Sequence, residues 1–411
     1  MDDSPRFRRS LSHVGGAIHT EGDRDAAGPL AHALDVAAAT DADDDPARAH
    51  VHGFHTYPAR MHPATAARLV GAFVRPGGRV LDPFCGSGTV VVEAVALGRR
   101  AVGVDLNPLA VRLARCKARP RGQEEADGLV DRARECAEFA DTRRLAKAGA
   151  TRRFPPEDVA LFEPHVLLEL DSLRAKIEAV RDEPARLDLS LVLSSLLIKF
   201  SKQRGDTSAT TAPRRTAAGS TTKMFVRKTE ELVRRFAEFA ALLPTPPPPP
   251  PAVVAQDDAT ELRTVAGPVD AIVTSPPYAA TYDYVSHHAL RLRWLGLDPA
   301  PLVGGELGSR AAYQRVPPGE AAKVWAAELA RFFQAAGRVL PAGAPLVLLM
   351  ADSAVGGVAL RADEVVAQTA RDCGFYPAAR ASQARPHFHG PGVAAFRDRP
   401  RAEHAILLVR R

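Results

Sequence analysis

The chain has 411 residues, of which 46% are hydrophobic and 25% are charged, and this composition predicts a globular protein with a large core. Its formal net charge of +6 suits a polyanionic partner without requiring one. The four cysteines lack metal-ligand spacing and no apolar run is long enough to span a bilayer, so we expect no metal, no disulfide framework, no membrane segment and a cytoplasmic location.

Three segments organise the chain. Residues 1–50 lack sustained helix or strand periodicity and include an acidic stretch at 41–45, which predicts a flexible leader. Six consecutive prolines at 246–251 predict an extended linker, because proline cannot continue a helix. Residues 119–245 show helical patterns and no convincing strand. We therefore expect a helical insertion between two parts of one sheet domain, 51–118 and 252–411.

Short β-branched runs that end in polar residues and precede helical patterns are typical of a parallel α/β sheet. We predict strands at 79–82, 101–105, 253–257, 270–274 and 344–350, with a last strand at 404–409. Apolar residues spaced by three and four from Trp325 to Leu340 predict a helix that covers one face of this sheet. The sheet is thus assembled from both sides of the insertion.

A glycine loop, Asp82-Pro-Phe-Cys-Gly-Ser-Gly-Thr89, follows the first of these strands and opens a helix, which is the context of a cofactor-binding loop. Gly86 and Gly88 allow the backbone to approach a ligand where a Cβ atom would collide. Asp105 ends the next strand, where a carboxylate can accept both hydroxyls of an adenosine ribose. The loop lacks the third glycine of the dinucleotide fingerprint, which disfavours a nicotinamide cofactor.

A second motif, Thr274-Ser-Pro-Pro-Tyr278, follows the strand at 270–274, at the carboxyl edge where ligands bind to α/β sheets. The two prolines fix the backbone, and the aromatic ring after them can stack on a planar base. The Ser275 hydroxyl and the Pro276 carbonyl can accept the two hydrogens of an exocyclic amine and direct its lone pair toward an incoming methyl group. No strong base and no metal is required for that reaction.

With these motifs, residues 54–118 and 252–350 resemble the amino-methyltransferases that modify DNA at cytosine N4 or adenine N6. The resemblance extends to His55–Pro63, similar to the segment that folds over the cofactor, to Gly103–Pro108, similar to the ribose strand, and to Gln256–Asp258, similar to the adenine-contacting strand end. It implies a Rossmann-like class I methyltransferase sheet with an inserted helical domain and S-adenosyl-L-methionine as cofactor. The implied cofactor residues are Tyr57, Asp82, Phe84, Gly86, Gly88, Thr89, Asp105, Asn107, Asp257 and Asp258.

The resemblance also implies the chemistry at the second motif. Ser275, Pro276, Pro277 and Tyr278 are the expected catalytic residues. The serine variant of the motif implies cytosine N4 as the acceptor, with adenine N6 as the alternative. Only one of Asp257 and Asp258 can point at the adenine, since the other caps the following helix. His55 and His62 are either ligands or packing groups.

The insertion carries a local surplus of positive charge. Between Lys199 and Arg235 ten Lys or Arg residues face three acidic ones, and the Gly-, Ser- and Thr-rich middle of this stretch predicts a mobile loop that contacts phosphates. A solvated surface is the alternative. The expected nucleic-acid contacts are Lys202, Arg204, Arg214, Arg215, Lys223, Arg227 and Lys228.

Several functions remain open at this stage. A cytosine-C5 methyltransferase is excluded, because its cysteine nucleophile follows proline and no Pro-Cys dipeptide occurs. DNA is the expected partner, with RNA and a non-catalytic nucleic-acid binder as alternatives. The insertion matches no known target-recognition module, and the resemblance leaves a restriction endonuclease partner open.

Overall fold

A computed structural model describes residues 15–37, 45–205, 210–244, 250–385 and 391–411. Its strands are β1 (Ile18–Gly22), β2 (Arg79–Asp82), β3 (Arg100–Asp105), β4 (Val253–Gln256), β5 (Ala271–Thr274), β6 (Pro345–Ala351), β7 (Ser353–Val355), β8 (Val358–Leu360), β9 (Phe375–Ala384) and β10 (Ala402–Arg410). Its helices are α1 (Arg24–Leu34), α2 (Pro63–Phe73), α3 (Thr89–Ala96), α4 (Pro108–Ala118), α5 (Gln123–Leu145), α6 (Pro156–Leu161), α7 (Pro164–Glu178), α8 (Glu183–Phe200), α9 (Ser220–Ala240), α10 (Tyr284–Trp294), α11 (Ala300–Gly305), α12 (Arg310–Tyr313), α13 (Ala321–Val339) and α14 (Ala362–Asp372).

Eight strands form one sheet in the order β1-β9-β10-β6-β5-β2-β3-β4. Strands β4, β3, β2, β5 and β6 are parallel, whereas β10 lies antiparallel between β6 and β9, and β1 pairs antiparallel with β9. The prediction of an α/β, Rossmann-like class I methyltransferase sheet is confirmed, and all six predicted strands are present. The carboxyl ends of β2, β3 and β5 meet at one edge, where ligands bind to such sheets.

Alternating side chains bury both faces of the sheet. Val80 faces one apolar cluster together with α2, α3 and α4, whereas its neighbour Leu81 faces a second cluster with α13 and α14. The predicted helix is α13, whose Trp325 and Phe332 are almost fully buried. This period-two alternation gives three layers, helices on each side of a central sheet.

The helices α5, α7, α8 and α9 of the insertion join the first cluster instead of forming a core of their own. Arg121, just beyond α4, pairs with Asp188 of α8 at 2.7 Å, and both side chains are buried. The Arg121 guanidinium also lies 3.6 Å from the ring centre of Phe236 on α9. The insertion is therefore anchored to the sheet layer by a buried ion pair and by shared apolar packing.

The described part of the predicted leader is ordered, which corrects the expectation of a flexible segment up to residue 50. Strand β1 satisfies the backbone groups at the free edge of β9, and Asp23 caps the first turn of α1, whose Leu30 and Leu34 are buried. Gly28 and Pro29 interrupt the helical pattern in the sequence and conceal this helix. Residues 1–14 and 38–44, and the proline stretch at 246–249, lie outside the described residues. Within the described part of the chain, no helix is both long and apolar enough to cross a membrane.

Candidate active site

The glycine loop between β2 and α3 has the backbone that its sequence predicts. Gly86 and Gly88 have φ values of 50° and 89°, in the left-handed region that residues with a Cβ atom rarely adopt. A Cβ on Gly88 would lie 2.9 Å from the Cα of Ala114, so this glycine lets the loop pack directly on α4. Thr89 then begins α3.

Asp105, at the end of β3, holds the glycine loop. Its two carboxylate oxygens accept hydrogen bonds from the backbone N–H groups of Gly86 and Asn107, each at 2.8 Å. Burial raises the pKa of Asp105 to about 6, an effect that these two backbone bonds oppose. Each oxygen retains a second lone pair for a ligand hydroxyl. Asn107 caps α4, because its side-chain oxygen accepts a hydrogen bond from the backbone N–H of Leu109. Its side-chain amide donates to the Tyr57 hydroxyl at 3.3 Å.

Asp82 connects the glycine loop to the second motif. Its carboxylate accepts a hydrogen bond of 2.6 Å from the Thr274 hydroxyl and one of 3.2 Å from the Phe84 backbone. Burial raises the pKa of Asp82 to about 7, and the hydrogen bonds from Thr274 and Phe84 oppose this rise. The ends of β2 and β5 are thereby held in one fixed arrangement.

The segment before α2 covers the glycine loop. The Tyr57 ring would lie 3.3 Å from a Cβ on Gly86, and it stacks on His288 of α10 with ring centres 4.9 Å apart. His55 is buried, and its two ring nitrogens contact the Thr56 carbonyl and the Ser194 hydroxyl. His55 therefore connects this segment to α8 as a structural group.

Three adjoining cavities occupy this edge of the sheet. The cofactor cavity is lined by Tyr57, Ala59, Pro83, Phe84, Gly86, Asp105, Leu106, Asn107, Asp258, Ala259, Ser275, Pro277, Tyr284, Leu302, Gly305, Glu306 and Leu307. The glycine-loop cavity is lined by Tyr57, Ala59, Arg60, Met61, Asp82, Phe84, Cys85, Gly86, Ser87, Thr89, Val90 and Ser275. The target cavity is lined by Ala47, Ala59, Arg60, Met61, His62, Pro63, Thr65, Ser275, Pro276, Pro277, Tyr278, Thr281, Tyr282, Tyr284, Leu349, Arg385, Arg401 and Glu403.

Ser275 lines all three cavities. It lies where the space beside the glycine loop opens toward the target cavity. Tyr278 is hydrogen bonded to Ser275, and its pKa is raised first by burial and then by the Glu403 carboxylate. The Ser275–Tyr278 motif therefore lies between the two cavities beside the glycine loop and the target cavity. The aromatic wall of the target cavity is formed by Tyr278, Tyr282 and Tyr284.

The two aspartates after β4 differ in orientation. Asp257 is buried and accepts hydrogen bonds from the backbone and hydroxyl of Thr264 at 2.7 and 2.8 Å. Asp258 lines the cofactor cavity, where its Oδ1 also accepts from Thr260. The structure thus directs Asp258 toward the cavity and Asp257 into the loop that follows β4.

The residues of the loops and cavities match the parts of S-adenosyl-L-methionine. Asp105 and Asp258 supply acceptors for hydroxyl and amine groups, and Phe84 and Leu302 supply apolar surface for an adenine. The Ser87 hydroxyl is buried without a hydrogen-bond partner among the described residues and lines the glycine-loop cavity. A polar ligand group would satisfy it. Gly88 lines none of the three cavities, and its role is the close packing of the loop.

Sequence analysis missed several residues of this site. Tyr284 and Glu306 border the cofactor cavity, and burial raises the pKa of Glu306 to about 7. Arg385, Arg401 and Glu403 border the target cavity from the ends of β9 and β10. Strand β9 combines Pro377 with small and polar residues and offers no clear sequence signal, so the residues around it could not be assigned.

The expected nucleic-acid contacts are not equally available. Arg204, Arg214, Arg215, Lys223 and Arg227 are exposed. Lys202 instead donates to the Ala160 carbonyl at 2.9 Å, and Lys228 pairs with Glu231 at 2.6 Å. Residues 206–209 of this basic stretch lie outside the described residues.

Two clusters among the described residues bring three potential metal-ligand atoms together. One comprises His50, His52 and Glu93, and the other Asp352, Asp363 and His404. Neither lines any of the three cavities, so neither is part of the site described above.

Residues 38–115 match a family model of the N6/N4 class described as DNA methylase. This match includes Tyr57, the glycine loop and Asp105. Among curated proteins, a segment of 68 residues is 32% identical to Type II methyltransferase M.MjaII of Methanocaldococcus jannaschii, over 16% of this chain and 13% of that protein. A segment of 72 residues is 40% identical to Type II methyltransferase M.MvaI of Kocuria varians, over 17% and 16%.

A third similarity concerns a relative named for RNA. A segment of 62 residues is 44% identical to the tRNA (guanine(10)-N2)-dimethyltransferase of Methanothermobacter thermautotrophicus, over 15% of this chain and 18% of that protein. The chain thus matches less than a fifth of the length of these relatives. The match at residues 38–115 supports an amino-methyltransferase family for this chain, with S-adenosyl-L-methionine as its cofactor.

Proposed function

We propose that this protein transfers a methyl group from S-adenosyl-L-methionine to an exocyclic amine of a flipped base in nucleic acid, with DNA as the substrate and cytosine N4 as the acceptor. The observation that carries the proposal is the position of Ser275, which borders the target cavity and both cavities beside the glycine loop. An acceptor at that junction can orient an amine toward the methyl donor.

The residues of the motif have separate roles in the proposed reaction. The cofactor, when bound, supplies an electrophilic methyl group. The Ser275 hydroxyl and the Pro276 carbonyl accept the amine hydrogens, which favours a tetrahedral nitrogen with its lone pair free to form the new N–C bond. The methylated nitrogen would then lose one proton to water at the mouth of the target cavity, and the demethylated cofactor would be the leaving group. Tyr278 and Tyr282 supply aromatic surface for the base in the target cavity.

The enclosure of the site supports methyl transfer over mere binding. Tyr278 and Tyr284 are half-buried, and burial raises the pKa of both phenols. A base that packs against these rings would lose part of its hydration where the amine must be desolvated before it can attack. A non-catalytic binder has no need of an enclosed junction between a cofactor site and a base site.

DNA as the substrate rests on the family match at residues 38–115 and on the two Type II methyltransferase relatives. The exposed arginines and lysines near the start of α9 supply the positive surface that a nucleic acid requires. The similarity to a tRNA methyltransferase favours RNA as the second candidate substrate.

Product analysis tests both candidates. The purified protein and methyl-labelled S-adenosyl-L-methionine are incubated in three separate reactions, with unmethylated genomic DNA, total tRNA or ribosomal RNA. Each nucleic acid is then digested to nucleosides for mass spectrometry. We expect labelled N4-methyldeoxycytidine from DNA. Labelled N6-methyldeoxyadenosine would change the acceptor, and a labelled RNA nucleoside would change the substrate. Cofactor binding without transfer to any of the three would refute methyl transfer.

A further inference from the structure

The target cavity contains a buried arginine whose terminal nitrogens have no hydrogen-bond acceptor among the described residues. Arg401 is 8% exposed and lines the cavity at the start of β10. Its Nε donates to the Asp352 carbonyl at 2.7 Å. Among the described residues, neither of its terminal nitrogens has an acceptor and no carboxylate pairs with it. These nitrogens are not among the buried polar atoms that lack a partner, so they reach the space of the cavity, where a ligand can accept hydrogen bonds from them.

The neighbouring charges leave Arg401 as the available donor. Arg385 is buried and pairs with Glu403 through Nη2 at 2.9 Å and Nε at 3.0 Å. Because the charges of Arg385 and Glu403 balance each other, the Glu403 carboxylate does not neutralise the charge of Arg401. The charge of Arg401 acts on Tyr278 and Tyr282 and lowers the pKa of both phenols against the effect of burial. The guanidinium therefore faces the same space as the aromatic wall.

The sheet sets the distance between Arg401 and the amine-orienting motif. Ser275 follows β5, and β6 separates β5 from β10. Strand β10 runs antiparallel to β6, so its first residues lie at the edge where β5 ends. Two strand spacings amount to about 10 Å across the sheet, and the strand registers place Arg401 four residues further along the strand direction than Ser275, which adds about 13 Å. The long Arg401 side chain spans part of this separation, and both residues line the target cavity, where a base can lie between them.

Arg401 is also held in place from behind. The Asp352 carboxylate accepts hydrogen bonds from the backbone N–H of Ala402 at 3.1 Å and from Arg361 at 2.9 Å, and it contacts His404 at 3.2 Å. Asp352 is buried. This network fixes the Asp352 carbonyl, which accepts the hydrogen bond from Arg401. Two members of one cluster of potential metal ligands, Asp352 and His404, therefore have a positioning role.

We propose that Arg401 reads the target base by donating to the acceptors of a pyrimidine ring, so that the cavity selects cytosine. This inference rests on the proposed methyl transfer. In cytosine the exocyclic amine is followed along the ring edge by N3 and O2, two neighbouring acceptors that a guanidinium can bond together. Adenine presents a single acceptor beside its amine on that edge, and guanine presents its N1–H donor beside N2. The donors of Arg401 therefore complement cytosine best.

The test compares three variants on unmethylated genomic DNA. Arg401→Gln removes the charge and the paired donors, and Arg401→Lys keeps the charge but loses the paired donors. Arg263→Gln is the control, because Arg263 is 75% exposed, pairs with Glu261 and lines none of the three cavities. We expect Arg401→Gln to lower kcat/KM for N4-methyldeoxycytidine about 5- to 150-fold, the range of one bidentate base contact, with unchanged cofactor affinity. Arg401→Lys is expected to lose activity to a smaller extent, and Arg263→Gln to remain within about twofold of the wild type.

The salt dependence of DNA binding separates a base contact from a phosphate contact. If Arg401 reads a base edge, the slope of log Kd against log salt stays unchanged in Arg401→Gln; if it binds phosphate, the slope falls by about one. The inference is overturned by that reduced slope, by full activity of Arg401→Gln or Arg401→Lys, or by adenine or guanine as the methylated base. In each of these cases the wild-type protein still methylates nucleic acid. A wild-type protein that methylates none overturns the proposed function and this inference together.

Discussion

Asp82 at the end of β2 accepts a hydrogen bond of 2.6 Å from Thr274 at the end of β5. This contact joins the glycine loop, which we propose holds the cofactor, to the motif that we propose orients the amine. Both side chains are buried, so water does not replace either partner when the other is removed.

Thr274→Val is expected to destabilise the protein by about 1 to 3 kcal/mol, because it leaves a buried acceptor of Asp82 unpaired. Methyl transfer should fall as well, since Ser275 loses its fixed position relative to the glycine loop. Thermal unfolding and initial rates measure the two effects. Thr229→Val is the control: it removes the buried hydroxyl that bonds to Phe225 within α9, away from the three cavities. Equal losses of activity in both variants would contradict the role given to Thr274.

The free energy of unfolding should depend on pH through Asp82. Burial raises its pKa from 3.8 to about 7, so between these values the folded protein binds a proton that the unfolded chain has released. Stability therefore declines as pH rises through that window, by at most about 1.4 kcal/mol per pH unit for one group. Asp82→Asn should reduce the slope in denaturant unfolding between pH 5 and pH 7.5. An unchanged slope would show that Asp82 is ionised throughout this range.

Cofactor affinity should weaken as pH falls through about 6, where burial places the pKa of Asp105. The ionised carboxylate accepts hydroxyl hydrogen bonds, and its protonated form loses part of that capacity. Asp105→Ala should cost about 1.5 to 3 kcal/mol of binding, and Asp105→Asn should bind weakly without this pH dependence. Isothermal titration with S-adenosyl-L-methionine from pH 5 to pH 8 measures both. Wild-type affinity in Asp105→Ala would refute the assignment of the site.

Ser275→Ala should lower the rate of methyl transfer by roughly 10- to 1000-fold while cofactor affinity stays nearly unchanged, because it removes one positioned acceptor in the transition state. Single-turnover rates and titration separate the two quantities. A matched loss of cofactor binding would indicate that the variant disturbs the glycine loop instead.

Tyr278→Ala should impair engagement of the target base by about 1 to 3 kcal/mol, the worth of one stacked ring. Tyr278→Phe keeps the ring but loses the hydrogen bond to Ser275, so its loss should be smaller. Values of kcat/KM for the two variants distinguish a role of the ring from a role of the hydroxyl. Equal inactivity of both would assign the chemistry to the hydroxyl and not to the ring.

Replacing the exposed residues Arg204, Arg214, Arg215, Lys223 and Arg227 with Gln should weaken DNA binding and flatten its salt dependence, because fewer counterions are released. Lys228 is left intact, since it pairs with Glu231. Arg263→Gln with Lys323→Gln serves as the control for lost surface charge. If the slope of log Kd against log salt concentration equals that of the wild type, these residues form a solvated surface that does not contact DNA.

The strands and both motif loops could be predicted because their signals are local. The run 79–82 appears as β2 with the predicted bounds, and the strand predicted at 101–105 differs from β3 by one residue. The glycines of the loop are required by left-handed backbone at Gly86 and Gly88. A β-branched run, a glycine turn and a pair of prolines each restrict the chain within a few residues, so these features were visible without any tertiary contact.

The tertiary structure decided what depends on partners distant in the sequence. Strand β1 exists because β9 offers it a free edge more than 350 residues further along the chain. Asp258 rather than Asp257 faces the cofactor cavity because Thr264 binds the other carboxylate. Arg401 became visible as part of the target cavity only when antiparallel pairing of β10 with β6 brought it to the edge where β5 ends. Sequence determined the local backbone and the chemistry of each motif, whereas the packing of separate strands determined which side chains share a cavity.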